Sequence, residues 1–341
     1  MGFSRQLSLS LTKYLIKNKL LGRKRFPLVL MLEPTLRCNL SCAGCGRIRE
    51  YHDIANQMLS ADDCLATVNE ADTPVVCITG GEPLLHPEVG RIIQELVGSK
   101  RFTFLSTNGL LLKESLEKFK PSPYLNFVLH LDGLAKSHDR YSGQQGVFDN
   151  AIAAMKAAKK AGFQLRTNTT IYKETKAAEI EELFLLLSRI PVDGIMVAPA
   201  FSYEAVNGDV FLSRSEIHSV FHPIYELRKR FPFYNTPIYL EFLAGERELA
   251  CTPWSNPTRN PKGWKSPCYL ITDRHYQSFQ ELMENTPWQK YGVGNDPRCR
   301  NCMVHCGFEA SALEQVCRNP SALWRTVRWN FSGSRNSTRS D

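Results

Sequence analysis

Between Leu28 and Ala200 short apolar runs alternate about six times with longer amphipathic ones, which predicts an α/β fold with a parallel sheet. A second observation agrees: each apolar run is brief and rich in Val, Ile, Leu, Phe or Thr, as in strands buried on both faces. The strand candidates are Leu28–Glu33, Val75–Thr79, Phe102–Ser106, Asn126–Leu131, Gln164–Ile171 and Gly194–Pro199. Helices are predicted over Ala61–Ala71, Pro87–Gly98, Lys113–Lys120, Val147–Ala161 and Ala177–Arg189. Ser60 before Asp62 and Asp63 reads as an N-cap, and Gly162 after Ala161 as a C-terminal stop. Six units are too few for a complete eight-strand barrel. An open six-strand barrel and a doubly wound sheet both fit the pattern, and in either ligands gather at the C-terminal ends of the strands.

The chain has 341 residues, 43% hydrophobic and 22% charged, the balance of a soluble globular enzyme with one large domain and an appendage, or two domains. It holds no run of roughly 18 apolar residues that would span a membrane. No apolar core and cleavage site follow the basic N-terminus, so no secretory signal is read and a cytoplasmic location is expected. The net charge is +8, from 42 Lys and Arg against 34 Asp and Glu. Residues 1–26 carry Arg5, Lys13, Lys17, Lys19, Arg23, Lys24 and Arg25 and no acid, interleaved with Leu7, Leu11, Tyr14, Leu15 and Leu20. This basic amphipathic segment suits an anionic membrane surface, or a helix packed on the body with a solvated basic face. The basic residues form no aromatic-interleaved stripe, so no nucleic-acid partner is expected. Residues 27–229 form the repeating domain. Prolines and aromatic residues thicken after Arg230, and residues 230–317 read as a Cys-rich, mostly irregular domain needing an internal staple. Residues 318–341 read as a basic, disordered tail.

Eleven cysteines, an odd number without an export signal, argue for metal or redox chemistry rather than a disulfide framework. Cys64 sits in a helical pattern and reads as packing. Cys38-x₃-Cys42-x₂-Cys45 directly follows the first strand, on a loop at the ligand-binding end of the sheet. Three thiolates need a remote fourth ligand to complete a tetrahedral zinc site. They can also hold three irons of a [4Fe–4S] cube and leave one iron open to a small molecule. Gly80-Gly81-Glu82-Pro83 ends the second strand, where such residues otherwise simply make turns. Asn108, within Thr107-Asn108-Gly109, and Asp132, within Asp132-Gly133, end the third and fourth strands and are expected to line the site.

The cysteine triad on the first loop, followed by Gly-Gly-Glu-Pro at the second strand end, resembles the radical S-adenosylmethionine (SAM) superfamily. The resemblance implies a partial (βα)6 barrel, a [4Fe–4S] cluster on Cys38, Cys42 and Cys45, and SAM chelated by the open iron. It implies reductive cleavage of SAM to methionine and a 5′-deoxyadenosyl radical, with a flavodoxin- or ferredoxin-type reductant supplying the electron. Glu82 would accept a hydrogen bond from the SAM ammonium in a turn shaped by Gly80, Gly81 and Pro83. Asn168 and the strand end near Val197 match where relatives contact ribose and adenine. One departure is Gly44, where an aromatic residue usually precedes the third cysteine; looser packing over the cluster is expected. The later cysteines, Cys251-x₁₁-Gly263-x₄-Cys268 and Cys299-x₂-Cys302-x₃-Cys306, resemble the Cys-rich extensions that hold an auxiliary cluster. Cys251, Cys268, Cys299 and Cys302 are the favoured ligands; Cys306 or His305 could replace one of them, Cys317 is a spare, and structural zinc is the rival occupant.

A closer resemblance runs through Pro27–Cys45, Lys120-Pro121-Ser122-Pro123-Tyr124, His130-Leu131-Asp132-Gly133, Cys251-Thr252-Pro253-Trp254 and Cys302-Met303-Val304-His305-Cys306-Gly307. These stretches are similar to the adenosylhopane synthases of hopanoid biosynthesis. That likeness implies addition of the deoxyadenosyl radical to the terminal alkene of diploptene, a membrane-dwelling triterpene, and quenching of the product radical by a hydrogen atom. The family's quenching cysteine is replaced here by Ser106, whose O–H bond is too strong for the task. Cys77 on the adjacent strand is the candidate substitute, with a small buried core residue as its alternative role. Hydrogen abstraction from another isoprenoid or a peptide is the competing activity, and a non-catalytic zinc protein is the competing class.

Overall fold

The structure, a computed structural model, describes residues 3–318; the tail expected beyond Arg318 and the side chain of Cys317 lie outside what it describes. Six strands, β1 (Val29–Thr35), β2 (Val75–Gly80), β3 (Phe102–Thr107), β4 (Leu125–His130), β5 (Gln164–Ile171) and β6 (Gly194–Pro199), run parallel. Their spatial order is β6-β5-β4-β3-β2-β1. A doubly wound sheet reverses strand order at a switch point; this one never does, so it is the open six-strand barrel.

Period-2 alternation divides each strand between two environments. Leu30, Leu32, Ile78, Leu105, Phe127, Leu129 and Leu165 point outward and pack on the helices. Val75, Cys77, Phe102, Phe104 and Val128 point inward. Helices Ala61–Ala71, Val89–Gly98, Val147–Lys160 and Ala177–Ser188 lie where the periodicity predicts them. Ser60 closes a capping box with Asp63, and Gly162 takes a left-handed φ of 85° after its helix. The helix expected over Lys113–Lys120 is corrected. It is one α-turn, Leu112–Ser115, followed by a 3₁₀ turn, Leu116–Lys118, because so short a segment ahead of Pro121 cannot propagate.

The N-terminal helix α1 (Arg5–Leu20) is capped by Ser4. Its Leu7 and Leu11 pack against Val75 and Phe102 at the strand starts, and Leu15 meets Phe26 and Leu28. It therefore sits under the end of the barrel opposite the first loop.

The C-terminal region has pairing that its sequence does not announce. β7 (Thr258–Asn260) joins the free edge of β1 in parallel, and β8 (Gly263–Pro267) and β9 (Thr272–Tyr276) continue antiparallel. The extension thus shares one sheet with the barrel. Trp264 is fully buried in β8, its Nε1 donates to Glu70 at 3.1 Å and its ring meets Phe279. In the closing helix, His305–Arg318, Phe308 stacks on Phe242 and Glu309 accepts from the amide and hydroxyl of Thr236. Trp264→Ala should lower unfolding free energy by about 3–5 kcal/mol in a single denaturant transition. Two separate transitions, with the barrel's unchanged, would show that the extension folds alone.

Candidate active site

The cysteine loop leaves β1 at the C-terminal end of the barrel. The Arg49 guanidinium donates to the carbonyls of Cys42 at 3.0 Å and Cys45 at 2.5 Å, holding the loop's curvature. Behind it, Arg47 Nε lies 2.7 Å from Glu33 Oε1, with both side chains almost wholly buried. Burial works against the Arg47 charge, but Glu33 more than compensates and keeps the guanidinium ionised. Arg47 also contacts Glu50 at 3.2 Å, donates to the Tyr269 carbonyl and lies over the Tyr269 ring. Lys265 of β8, also buried, donates to the same carbonyl at 2.7 Å; burial and then the Arg47 cation pull its pKa down to about 7. These charges are the staple joining β1, the cysteine loop and the extension.

All three loop thiols are partly accessible and unbridged. Burial pushes Cys38 up to about 11 and Cys42 higher, with Cys45 adding to it. Thiols so placed keep their protons until a metal displaces them. Among the described residues no three His, Cys, Asp or Glu side chains converge as a single ion requires; a cube takes each thiolate on a separate iron.

The space expected to be loose at Gly44 is filled, which corrects that expectation. A Cβ on Gly44 would come within 2.5 Å of the Tyr172 ring, and one on Gly46 would strike Tyr203. Tyr172 follows β5 and stacks on Tyr141 at 4.2 Å. The missing loop aromatic is replaced by a ring from across the barrel.

Gly80 and Gly81 are needed, though the crowding comes from protein rather than ligand. Gly80 has φ 111°, and Cβ atoms at the two positions would collide with the carbonyls of Thr35 and Arg37. Gly81 N donates to Thr35 O at 3.0 Å and Glu82 N to Arg37 O at 2.8 Å, locking the end of β2 against the cysteine loop. Pro83 opens the 3₁₀ turn Pro83–Leu85. Glu82 accepts from Leu84 N, Thr107 Oγ1 and Asn108 N, and burial still raises its pKa. Asn108 in turn donates to Asn39 at 2.8 Å. The structure therefore brings the triad, Gly80–Pro83 and Asn108 together.

On the facing strands, Asp132 Oδ1 lies 2.8 Å from His130 Nε2 and accepts from Thr170 N. Asn168 lies 3.4 Å from His130 through its Nδ2, while its buried Oδ1 has no partner. That orphaned acceptor, beside His130, fits a hydroxyl-bearing ligand such as a ribose. Val197 does not fit: its side chain packs outward in the helix-facing core, and its amide donates to Asn235. Strand parity turns Val197 away, and Met196 faces inward instead. Deeper in the barrel Cys77 Sγ lies 3.6 Å from Ser106 Oγ. Arg166 is sandwiched between Tyr234 and Phe104, with two guanidinium nitrogens lacking hydrogen-bond partners.

In the extension, Cys251, Cys268, Cys299, Cys302 and Cys306 all line one cavity. Cys306 joins the four favoured ligands, whereas His305 does not. It is half-buried near His130, desolvation pulls its pKa down to about 4, and its buried Nδ1 has no partner. Gly307 is obligatory here, since a Cβ would lie 2.6 Å from Cys251 Sγ. Tyr269, next to Cys268, offers its carbonyl to both Arg47 and Lys265, which ties this cysteine to the charges behind the first loop. Tyr172, Tyr203, Tyr269 and Arg166 are not legible as site residues in the sequence. The two glycines at 44 and 46 were the one signal that something large packs there.

A parallel barrel with three thiols on its first loop and an orphaned acceptor on β5 offers the donor set for a small molecule held against an iron–sulfur cluster. Residues 32–187 match the model of the radical SAM superfamily, so this stretch of the chain is similar to the domain with which enzymes of that class use a [4Fe–4S] cluster and SAM. Residues 195–326 match a domain of unknown function, DUF3463. An AdoMet-dependent heme synthase of Methanosarcina barkeri is 28% identical over 60% of this chain and 59% of its own length. A GTP 3′,8-cyclase 1 of Mycobacterium tuberculosis is 30% identical over 43% of this chain and 44% of its own. The chain thus spans about half of such relatives (44–59% of their length). SuiB of Streptococcus suis bound to S-adenosylmethionine aligns with a TM-score of 0.66, 19% identity, 91% of this chain and 79% of that one. Native anSMEcpe with AdoMet aligns at 0.61, 16% identity, 90% and 97%. These structural likenesses concern the fold.

Two outcomes follow. Arg47→Met leaves Glu33 buried without a counter-charge and should cost about 3–5 kcal/mol in denaturant titration; a loss under about 1 kcal/mol would mean that the pair behaves like a surface one. For His130, burial favours the neutral ring but Asp132 outweighs it and raises the pKa above 6.5. A raised histidine stabilises fully below its unfolded pKa and loses that contribution as pH rises through the folded one. The melting-temperature gap between the parent and Asp132→Asn should therefore be widest below the 6.5 reference value and shrink at alkaline pH, the Thr170 hydrogen bond leaving a residue. A gap that is flat with pH contradicts the pairing.

Proposed function

We propose that Cys38, Cys42 and Cys45 hold the [4Fe–4S] cluster, and that the chain adds a 5′-deoxyadenosyl group to the alkene of diploptene, giving adenosylhopane. When bound, cluster and SAM supply the 5′-deoxyadenosyl radical on receiving one electron from a flavodoxin- or ferredoxin-type reductant. The chain's residues do the rest. Glu82 and Asn108, tied to the loop and to each other, orient the amino-acid end of SAM, and Asn168 Oδ1 takes a ribose hydroxyl. Tyr172 and Tyr203 cover the loop and limit water. Asp132 fixes the His130 ring across the chamber.

The observation that carries the substrate reading is the inner wall beneath these groups. Cys77, Phe104, Val128 and Met196 face inward with Met31 in register beside Cys77, and Arg166, the charged group among them, is sheathed by two rings. That wall suits a hydrocarbon. Addition to a terminal alkene leaves a tertiary carbon radical, and a thiol S–H is weak enough to give it a hydrogen atom. Cys77 lies beside Ser106, so the donor has moved one strand; the resulting thiyl returns to thiol with one electron and one proton from the same reductant. In the extension, Cys251, Cys268, Cys299 and Cys302 hold an auxiliary cluster, with Cys306 beside them. Ser106 also favours the second reading, hydrogen abstraction from another isoprenoid or a peptide, since abstraction needs no thiol donor.

Anaerobically reconstituted protein with SAM, dithionite and diploptene should yield a product heavier by one deoxyadenosyl unit. Cys77→Ala should cut its yield about tenfold or more without lessening SAM cleavage. Free 5′-deoxyadenosine alone, with no adduct, would reject addition in favour of abstraction. Unchanged yield and stereochemistry in Cys77→Ala would remove that thiol from the mechanism.

A further inference from the structure

We propose that the outward face of α1 docks on an anionic lipid surface, bringing the protein to a membrane by the end of the barrel opposite the cysteine loop. Among the described residues the large exposed apolar side chains are Leu9 (61% exposed), Ile16 (52%), Leu20 (83%), Leu21 (57%), Leu185 and Val293. Four of these six lie on α1 or the residue after it. Positions 9, 16 and 20 are seven and eleven residues apart, close to two and three helical turns, so they form one narrow stripe. The stripe is not a core face in search of a partner. The opposite side of the same helix, Leu7, Leu11 and Leu15, is already buried against the barrel. A helix apolar on two opposite sides, one side anchored, presents the second rigidly.

Charge identifies the occupant. Lys13 and Lys17 flank the stripe, and Lys19, Arg23, Lys24 and Arg25 continue from its end; residues 1–26 contain no acid. Asp72, 3.7 Å from Lys17, is the carboxylate at its margin. A second copy of the chain would set these cations against their own images. Residues 319–341 would fare no better as a cover: they carry Arg325, Arg328, Arg335 and Arg339 against Asp341. An anionic bilayer offers apolar depth for the leucines and negative headgroups for the cations, whose stems lie along the interface. The notion rests on exposure and charge, not on the proposed substrate.

The test uses the full chain without turnover, sedimented with vesicles of phosphatidylglycerol or of phosphatidylcholine. Binding to the former should be tighter by about tenfold or more and weaken with salt. The variant Leu9→Glu/Ile16→Glu/Leu20→Glu should lose that binding about tenfold or more while keeping its thermal transition and its reductive cleavage of SAM. Equal partition to both vesicle types, or undiminished binding by the variant, overturns the proposal. So does self-association that the variant abolishes without any vesicle binding, which would identify a second copy. Binding that appears only after residues 319–341 are removed would show that the tail occupies the face.

Discussion

The arrangement depends on one buried ion pair. Glu33 at the end of β1 and Arg47 just past the cysteine loop bracket the three thiols, and neither reaches water. An isolated buried charge is so costly that each holds the other in place. Because Arg47 also grips the backbone of Tyr269, beside Lys265 and Glu50, the restraint passes from β1 through the loop to β8. The cysteine-bearing extension and the cysteine-bearing loop are thereby positioned by the same charges.

Packing around the loop follows a related economy of shape. Gly80 and Gly81 let the end of β2 press onto the carbonyls of residues 35 and 37, and Gly44 and Gly46 admit two tyrosine rings. Backbone thinness on one element is matched by bulk on another. The same exchange recurs where Gly307 meets Cys251, so both thiol groups sit where a missing Cβ makes room. Tyr269, beside Cys268, lies under the Arg47 guanidinium, so the extension is packed against the residues that bracket the first loop.

Much of this was legible along the chain. The six strands appear within two residues of their positions, because parallel strands buried on both faces leave dense apolar runs. The helices around Ala61, Val147 and Ala177 appear because period and caps agree. The triad, Glu82 and Asn108 are local motifs whose spacing survives folding. Val197 departs from expectation because a one-residue shift in strand parity turns a side chain from the barrel interior to the helix-facing core. The β7–β9 pairing was invisible because three short strands leave almost no periodic signal. The tyrosines over the loop leave no trace in the sequence, because a ring supplied from across the barrel has no mark in its own neighbourhood.

Local chemistry in the chain was enough to specify a repeating α/β domain, a loop of three thiols at its ligand-binding end and a basic, leucine-bearing first helix, since each depends on neighbours a few residues apart. Assembly alone decided that the sheet is an open barrel rather than doubly wound, that Cys77 stands beside Ser106, that five cysteines share one cavity and that α1 leaves a second apolar side to solvent. Those outcomes join residues tens to hundreds of positions apart, and only the balance of burial, charge and steric fit in the folded molecule could select them.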